Sequence, residues 1–81
     1  MEFKFVDTIE LRKAMAEARI NSMVALSEAS GVNRNTLSDI LNDKIRPSAS
    51  VIEKIAKALS LNAETVGRIF FTAVLAEMQD K

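Results

Sequence analysis

The side chains that most often carry out covalent or metal chemistry are missing from this sequence. It has no cysteine and no histidine, and it also has no tryptophan and no tyrosine. Disulfides, thiolate or imidazole metal sites and Ser-His or Cys-His catalysis all need cysteine or histidine. We therefore expect no catalytic residue, no metal, no cofactor and no enzymatic activity. The polar side chains that remain are suited to recognition by hydrogen bonds and charge.

Charge and length narrow the remaining classes of protein. The 11 basic and 11 acidic residues leave no net charge over 81 residues, whereas a nucleic-acid binder usually carries a positive surplus. Binding to DNA depends on where the charges point more than on their sum, so neutrality weighs against DNA binding without excluding it. The length suits one domain with a single modest core.

The apolar pattern does not predict a membrane protein. The longest mainly apolar run, residues 69–76, is far shorter than the about 20 residues that span a bilayer. The amino terminus has no basic stretch followed by an apolar one, so no signal peptide is expected. We expect a cytoplasmic protein with no membrane partner, and the lack of cysteine fits a reducing compartment.

Periodicity between Ser22 and Asn42 predicts two short helices joined by a tight turn. Each has an apolar stripe: Leu26 and Ala29 on the first, and Leu37, Ile40 and Leu41 on the second. Gly31 follows the first helix, where a left-handed backbone is usual. Asn33 stands directly before the second helix, where its side chain can accept from an orphan amide. Two helices joined this way form a helix-turn-helix unit.

Three further helices are predicted, one before this unit and two after it. They cover residues 8–20, 49–59 and 63–79, and begin after the capping residues Asp7, Ser48 and Asn62. Pro47 biases Arg46 towards an extended conformation, so no helix should cross this point. The predicted fold class is all-α, a compact bundle of about five helices that contains the helix-turn-helix.

The segments at the two ends of the chain are less determined. Residues 2–6 alternate charged and apolar side chains, which is the period of a strand. A lone strand is not stable, so this segment pairs with another chain, covers the core or forms a loose arm. The last helix has a second apolar stripe beside its core-facing one, made of Phe71, Val74, Leu75 and Met78. We expect this stripe to form a homodimer interface, the alternative being a helix that wraps its own core.

From Leu11 to about Leu61 the chain resembles the helix-turn-helix family of phage Cro proteins, lambda-type repressors and XRE-like bacterial regulators. The residues that carry the resemblance are Leu11-Arg12, Leu26, Ser27, Gly31, Val32, Asn33, Thr36, Leu37, Ser38, Ile40, Asn42, Pro47-Ser48 and the run IEKIAKALSL. Residues 1–81 are interpreted as a single domain. It consists of an arm (1–7), a family-like core (8–61) and a carboxyl-terminal helix (62–81).

The resemblance implies that the third helix enters the major groove of double-stranded DNA. Position by position, the base-reading residues are Arg34, Asn35, Ser38 and Asp39. The residues at phosphate-contacting positions are Ser22, Thr36, Asn42, Lys44 and Arg46. Chemistry agrees at two of the reading positions, because arginine can bond guanine at two points and asparagine can do the same with adenine.

Three residues depart from the family pattern. Met23 stands where a glutamine often braces the recognition helix and contacts phosphate. Asp39 places a carboxylate on the reading face, where it can accept from cytosine but repels phosphate. Asp43 replaces the glycine common after the asparagine, which predicts a loop of different shape.

Two functions from different classes are consistent with this sequence. The first is a sequence-specific transcription regulator, a dimeric repressor of phage or bacterial type, which would bind DNA through two half-sites. The alternative is an antitoxin or anti-repressor that binds another protein through the last helix. The residues Arg34, Asn35, Lys44 and Arg46 favour the first function, while the neutral net charge and the surplus apolar stripe favour the second.

Overall fold

The computed structural model describes residues 3–71, and within them the chain forms five α-helices and no strand. The helices are α1 (Thr8–Glu17), α2 (Met23–Ser30), α3 (Arg34–Leu41), α4 (Ala49–Ala58) and α5 (Ala63–Phe70). The predicted all-α bundle is confirmed, and α2 and α3 are the two helices of the predicted unit. None of the helices in this part of the chain is long and apolar enough to cross a lipid bilayer.

Each helix begins at a polar side chain that accepts a hydrogen bond from an amide of the first turn. In chain order these residues are Asp7, Ser22, Asn33, Ser48 and Asn62. Such a bond satisfies one of the four amides that a helix start leaves without a partner. The starts of all five helices therefore follow from the local sequence, and the caps predicted at Asp7, Asn33, Ser48 and Asn62 are confirmed.

Three helices are followed by a non-glycine residue with a left-handed backbone, two residues after the last helical residue. These residues are Arg19, Asp43 and Ser60, whose φ angles are 61°, 57° and 55°. After each of them, the next amide donates to a carbonyl five residues earlier, for example Ile20 N to Met15 O at 2.9 Å. This is the Schellman arrangement, which satisfies carbonyl groups at the end of a helix.

The prediction that the first helix extends to Ile20 is wrong, because the backbone reverses at Arg19. Helix α1 ends at Glu17, and Ile20 turns back and packs against the core. Helix α4 likewise ends at Ala58, one residue before its predicted end at Leu59.

The turn between α2 and α3 is closed by hydrogen bonds on both sides of Gly31, whose φ is 77°. The Ser27 hydroxyl donates to Val32 O at 2.7 Å, and Gly31 N donates to Ser27 O at 2.8 Å. The buried side of α2 follows Leu26, whereas Ala29 is exposed. Ala29 was predicted to share the apolar stripe, and this is wrong, although α2 packs on both α3 and α4.

The core takes apolar side chains from all five helices, from the turn and from the segment before α1. Its buried members are Val6, Leu11, Ala14, Met15, Leu26, Val32, Leu37, Ile40, Leu41, Ile55, Leu59, Ile69 and Phe70. Val6 is only 1% exposed, so the segment ahead of α1 covers the core rather than forming a loose arm.

Helix α5 turns Ile69 and Phe70 into the core, while Phe71 at its end is 43% exposed. Phe71 is the one member of the second predicted stripe among residues 3–71, so the direction of that stripe stays a prediction. The predicted continuation to residue 79 lies outside the described residues, as do three members of the predicted dimer interface, Val74, Leu75 and Met78.

Candidate nucleic-acid interface

Helix α3 separates apolar from polar residues along its whole length. Leu37, Ile40 and Leu41 are buried in the core. On its other side Arg34 and Asn35 are exposed, and Ser38, Asp39 and Thr36 are half-buried. Because one face is fixed in the core, the four residues predicted to read bases are presented together on an element that cannot rotate.

The amino-terminal end of α3 has polar side chains without partners in the described structure. Asn33 Oδ1 accepts from Asn35 N at 2.7 Å, which occupies the cap and fixes the first turn. The side chains of Arg34 and Asn35 make no hydrogen bond or ion pair with residues 3–71. Their donors are therefore available to a ligand without breaking an internal bond.

The middle of the polar face is more constrained. The side-chain amide of Asn42 donates to Ser38 O at 2.9 Å and also lies 3.5 Å from Ser38 Oγ. A predicted phosphate contact and a predicted base contact are thus linked to each other in the free protein. The amide group has two N–H groups, so one can keep the bond to Ser38 O while the other donates to a phosphate.

Two other predicted positions lie near the start of α2. Ser22 is exposed and its Oγ accepts from Ala25 N at 3.0 Å, which leaves the hydroxyl proton free to donate. Met23 is half-buried and packs against the core. An apolar side chain therefore fills the place where the resemblance predicts a glutamine, and α2 is held there by packing instead of a polar brace.

The loop after α3 contains the contact that the sequence did not predict. The carboxylate of Asp43 accepts three backbone hydrogen bonds, from Lys4 N at 2.5 Å, Phe5 N at 2.7 Å and Val6 N at 2.9 Å. We call this set of bonds the clasp; the described part of the arm is residues 3–7. The arm is also fixed at its other end, where Asp7 N donates to Ile69 O at 2.7 Å.

The clasp changes the interpretation of Asp43. Its φ of 57° is the left-handed conformation that glycine favours, so Asp43 adopts a backbone that glycine would also accept. Burial raises the pKa of this carboxyl group, but the three amides and the charge of Lys4 lower it, and the result lies below the ordinary value. Asp43 is therefore ionised at neutral pH, with its charge directed at the amides of the arm.

The arm makes a second contact with the loop, through the aromatic ring of Phe5. The guanidinium carbon of Arg46 lies 5.5 Å from the centroid of the Phe5 ring, and Lys4 Nζ lies 5.9 Å from the same point. Both distances fall within the range of a cation–π interaction. Lys4 and Arg46 share the Phe5 ring, and Lys44 follows Asp43 directly in the loop; all three are exposed. We call these three residues the basic cluster.

Lys4 and Phe5 are not among the residues predicted to contact DNA, and Asp43 was noted only as a departure from the family. The contact joins residues 37 to 39 positions apart, and no local pattern signals such a pairing. The available hints were an acidic residue at a glycine position and an apolar alternation in the arm that needed a partner.

A comparison with known protein families identifies one match. A family model described as a Cro/C1-type HTH DNA-binding domain matches residues 10–66, from the first turn of α1 into α5. No curated protein and no solved structure gives a match. The matched range contains every residue predicted to contact DNA, and it leaves out the arm and residues 67–81.

Proposed function

The chain belongs to the family of Cro/C1-type helix-turn-helix DNA-binding domains, and from this premise we propose that it is a sequence-specific, non-enzymatic regulator of transcription. The observation that carries the proposal is the division of α3 into a buried apolar face and a more exposed polar face. Three of its eight residues are buried in the core, and its first two residues present unpartnered polar side chains. The amino-terminal residues of a recognition helix are the ones that meet base edges in the major groove.

The base contacts that we propose follow from the hydrogen-bonding groups on this face. Arg34 donates to N7 and O6 of a guanine, and Asn35 pairs with N6 and N7 of an adenine. Ser38 and Asp39 follow one turn later, and the carboxylate of Asp39 accepts from the amino group of a cytosine. The preferred site should therefore contain a cytosine, because Asp39 would repel a phosphate or a base acceptor at that position.

The phosphate contacts that we propose surround this face. They are Ser22 at the start of α2, Thr36 on α3, and Asn42, Lys44 and Arg46 after it. Such contacts position the protein on the duplex without reading its sequence. They also make affinity depend on salt, because each neutralised phosphate releases counterions. A favourable local arrangement of charge would then compensate for the lack of a net positive charge.

We further propose that the protein is a homodimer and a repressor of phage or bacterial type. A single small module covers only about 600–1,000 Å² on DNA, and two modules on adjacent half-sites supply the missing affinity and spacing. The exposed Phe71 supports the last helix as the interface, because it is the first residue of the stripe that continues in the sequence with Val74, Leu75 and Met78.

Selection from a random-sequence duplex library tests the reading function. The wild-type protein should enrich one motif and bind it more tightly than bulk DNA at the same salt concentration. Arg34→Ala should cost roughly 1–3 kcal/mol on that motif and relax preference at one base position. Lys13→Ala removes the same charge from the exposed side of α1 and should preserve the preference. If no motif is enriched, the regulator proposal fails.

Light scattering tests the dimer. The double variant Phe71→Glu with Leu75→Glu should have half the molar mass of the wild-type protein, because two buried carboxylates would destabilise an apolar interface. Ile9→Glu is a matched control, since Ile9 is a large exposed apolar residue on α1, and it should leave the molar mass unchanged. An unchanged mass in the double variant would contradict an interface at this helix.

The second candidate is an antitoxin or anti-repressor that binds another protein through the last helix. The exposed Phe71 and the zero net charge favour it. The same selection separates the two candidates, because a protein of this kind need not prefer any DNA sequence. Its main binding energy would instead be lost in the variant Phe71→Glu with Leu75→Glu.

A further inference from the structure

We infer that the arm supplies a further phosphate contact through Lys4, and that Asp43 is the positioning residue that holds this contact in place. The inference rests on the proposed function, since it assigns a new residue to the same DNA-binding surface. The family match begins at residue 10, so the arm is a feature of this chain beyond the matched domain.

The backbone of the arm is fixed beside the end of α3. One carboxylate accepts from three successive amides, those of Lys4, Phe5 and Val6. Hydrogen bonds to an ionised acceptor are stronger than neutral ones. Because Val6 is also buried and Asp7 N bonds to α5, the arm is held at both of its ends.

The side chains of the arm add charge where phosphate contacts are already proposed. Phe5 is half-buried against the core, and its ring lies beneath both Lys4 Nζ and the guanidinium of Arg46. Arg46 occupies one of the positions that the family resemblance assigns to phosphate. Lys4 is exposed, so its ammonium group is presented to the same stretch of DNA backbone.

Removing the carboxylate of Asp43 tests this inference, because repulsion of DNA and positioning of the arm predict opposite changes in DNA affinity. If its carboxylate only repelled DNA, removing it would strengthen binding. If it holds the arm, removing it should weaken binding, although the protein then gains one unit of positive charge. Asp43→Gly is the suitable variant, because glycine adopts a φ of 57° without strain and the loop keeps its backbone.

The experiment measures affinity for the selected duplex and for bulk DNA as a function of salt concentration. Lys4→Ala should weaken binding to both and reduce the salt slope by about 0.9, which corresponds to about a fivefold loss near 0.15 M salt relative to 1 M. Lys13→Ala, the control on α1, should leave the slope unchanged. An unchanged slope in Lys4→Ala would overturn the inference.

Asp43→Gly should show a similar loss, and the double variant with Lys4→Ala should lose little more than either single variant, because both changes remove one contact. Ser60→Gly replaces another left-handed residue and should not affect DNA binding. A rise in affinity for Asp43→Gly, or additive losses in the double variant, would overturn the positioning role. If no duplex is selected, the proposed function fails, but the salt slope on bulk DNA still tests Lys4.

Discussion

The two ends of α3 are stabilised over very different distances in the sequence. At its start, Asn33 accepts from an amide two residues later. After its end, Asp43 accepts from amides 37 to 39 residues earlier. The end that we propose reads bases is therefore determined by its own few residues, whereas the basic cluster beyond the other end exists only in the folded chain. A change to the arm should then alter the proposed phosphate contacts and leave the proposed reading residues in place.

Truncating a buried residue in the middle of α3 should cause the largest loss of stability, because this packing supports both ends of the helix. Leu37 is 0% exposed in the middle of α3, and Leu37→Ala should lower the free energy of unfolding by roughly 2–5 kcal/mol through lost burial and the cavity left behind. Denaturant unfolding measures the change. Ile9→Ala removes a similar side chain that is 54% exposed and should have a far smaller effect. Equal losses in the two variants would show that α3 is not anchored in the core.

Removing the local cap should have a smaller effect, confined to the start of α3. Asn33→Ala should cost about 1 kcal/mol of unfolding free energy, because the first turn loses its acceptor. Asn21→Ala makes the same chemical change at an exposed residue that caps no helix and should cost almost nothing. If the clasp at the other end also loosens in Asn33→Ala, the two ends of α3 are not independent.

Of the two ends of α3, acid should act on the clasp and not on the neutral cap. The pKa of Asp43 in the folded protein lies below its ordinary value of 3.8, so the unfolded chain binds the proton more readily. The stabilisation is therefore complete above that value and is lost as pH falls through the folded pKa. Amide chemical shifts of residues 4–6 should move in this acid range in the wild-type protein.

The matched variant for the acid experiment is Asp43→Asn, which has the same size and keeps one of the two acceptor oxygens but removes the titrating group. Its arm amides should not respond to the same pH change. The amide of Asn35, which is bonded to the neutral cap Asn33, should stay constant in both proteins. A shift of equal size at this amide would mean that acid unfolds the whole helix.

The smallest expected change in stability comes from comparing two left-handed residues, Ser60, which only follows the end of a helix, and Asp43, which also binds the arm. Ser60 and Asp43 have nearly the same φ, 55° and 57°. Ser60→Gly should raise the free energy of unfolding by about 0.5 kcal/mol, since the relief of left-handed strain exceeds the entropy cost of glycine. Asp43→Gly relieves the same strain and yet should be destabilising. Thermal unfolding compares the two, and a gain in both would contradict a stabilising clasp.

Much of the fold could be predicted because its determinants are local. The starts of the helices follow from single capping side chains such as Asn33 and Ser48, and burial along α3 follows the period of an α-helix. The end of α1 was placed too late, because Arg19 is not a residue type that signals a left-handed reversal. Ala29 was placed on the wrong face, because eight residues give too short a pattern to fix the orientation of α2.

Less of the candidate site follows from the sequence. Arg34 and Asn35 are proposed from the family resemblance and from their hydrogen-bonding groups, and both are exposed, but their contacts with bases stay a prediction. The clasp was not predictable, because a carboxylate accepting from distant backbone amides leaves no trace in side-chain spacing. The sequence places Asp39 on the predicted reading face, whereas Asp43 is the acidic residue that the fold connects to the arm.

The position of Phe5 has a practical consequence for optical spectroscopy. Its ring lies against Arg46 at the basic cluster, and the sequence has no tryptophan. In Phe5→Trp the indole would keep a face for the cation and would be the sole source of tryptophan fluorescence. Its emission would report the state of the arm without background, and quenching or a spectral shift on adding duplex would follow binding at this end of α3 in real time.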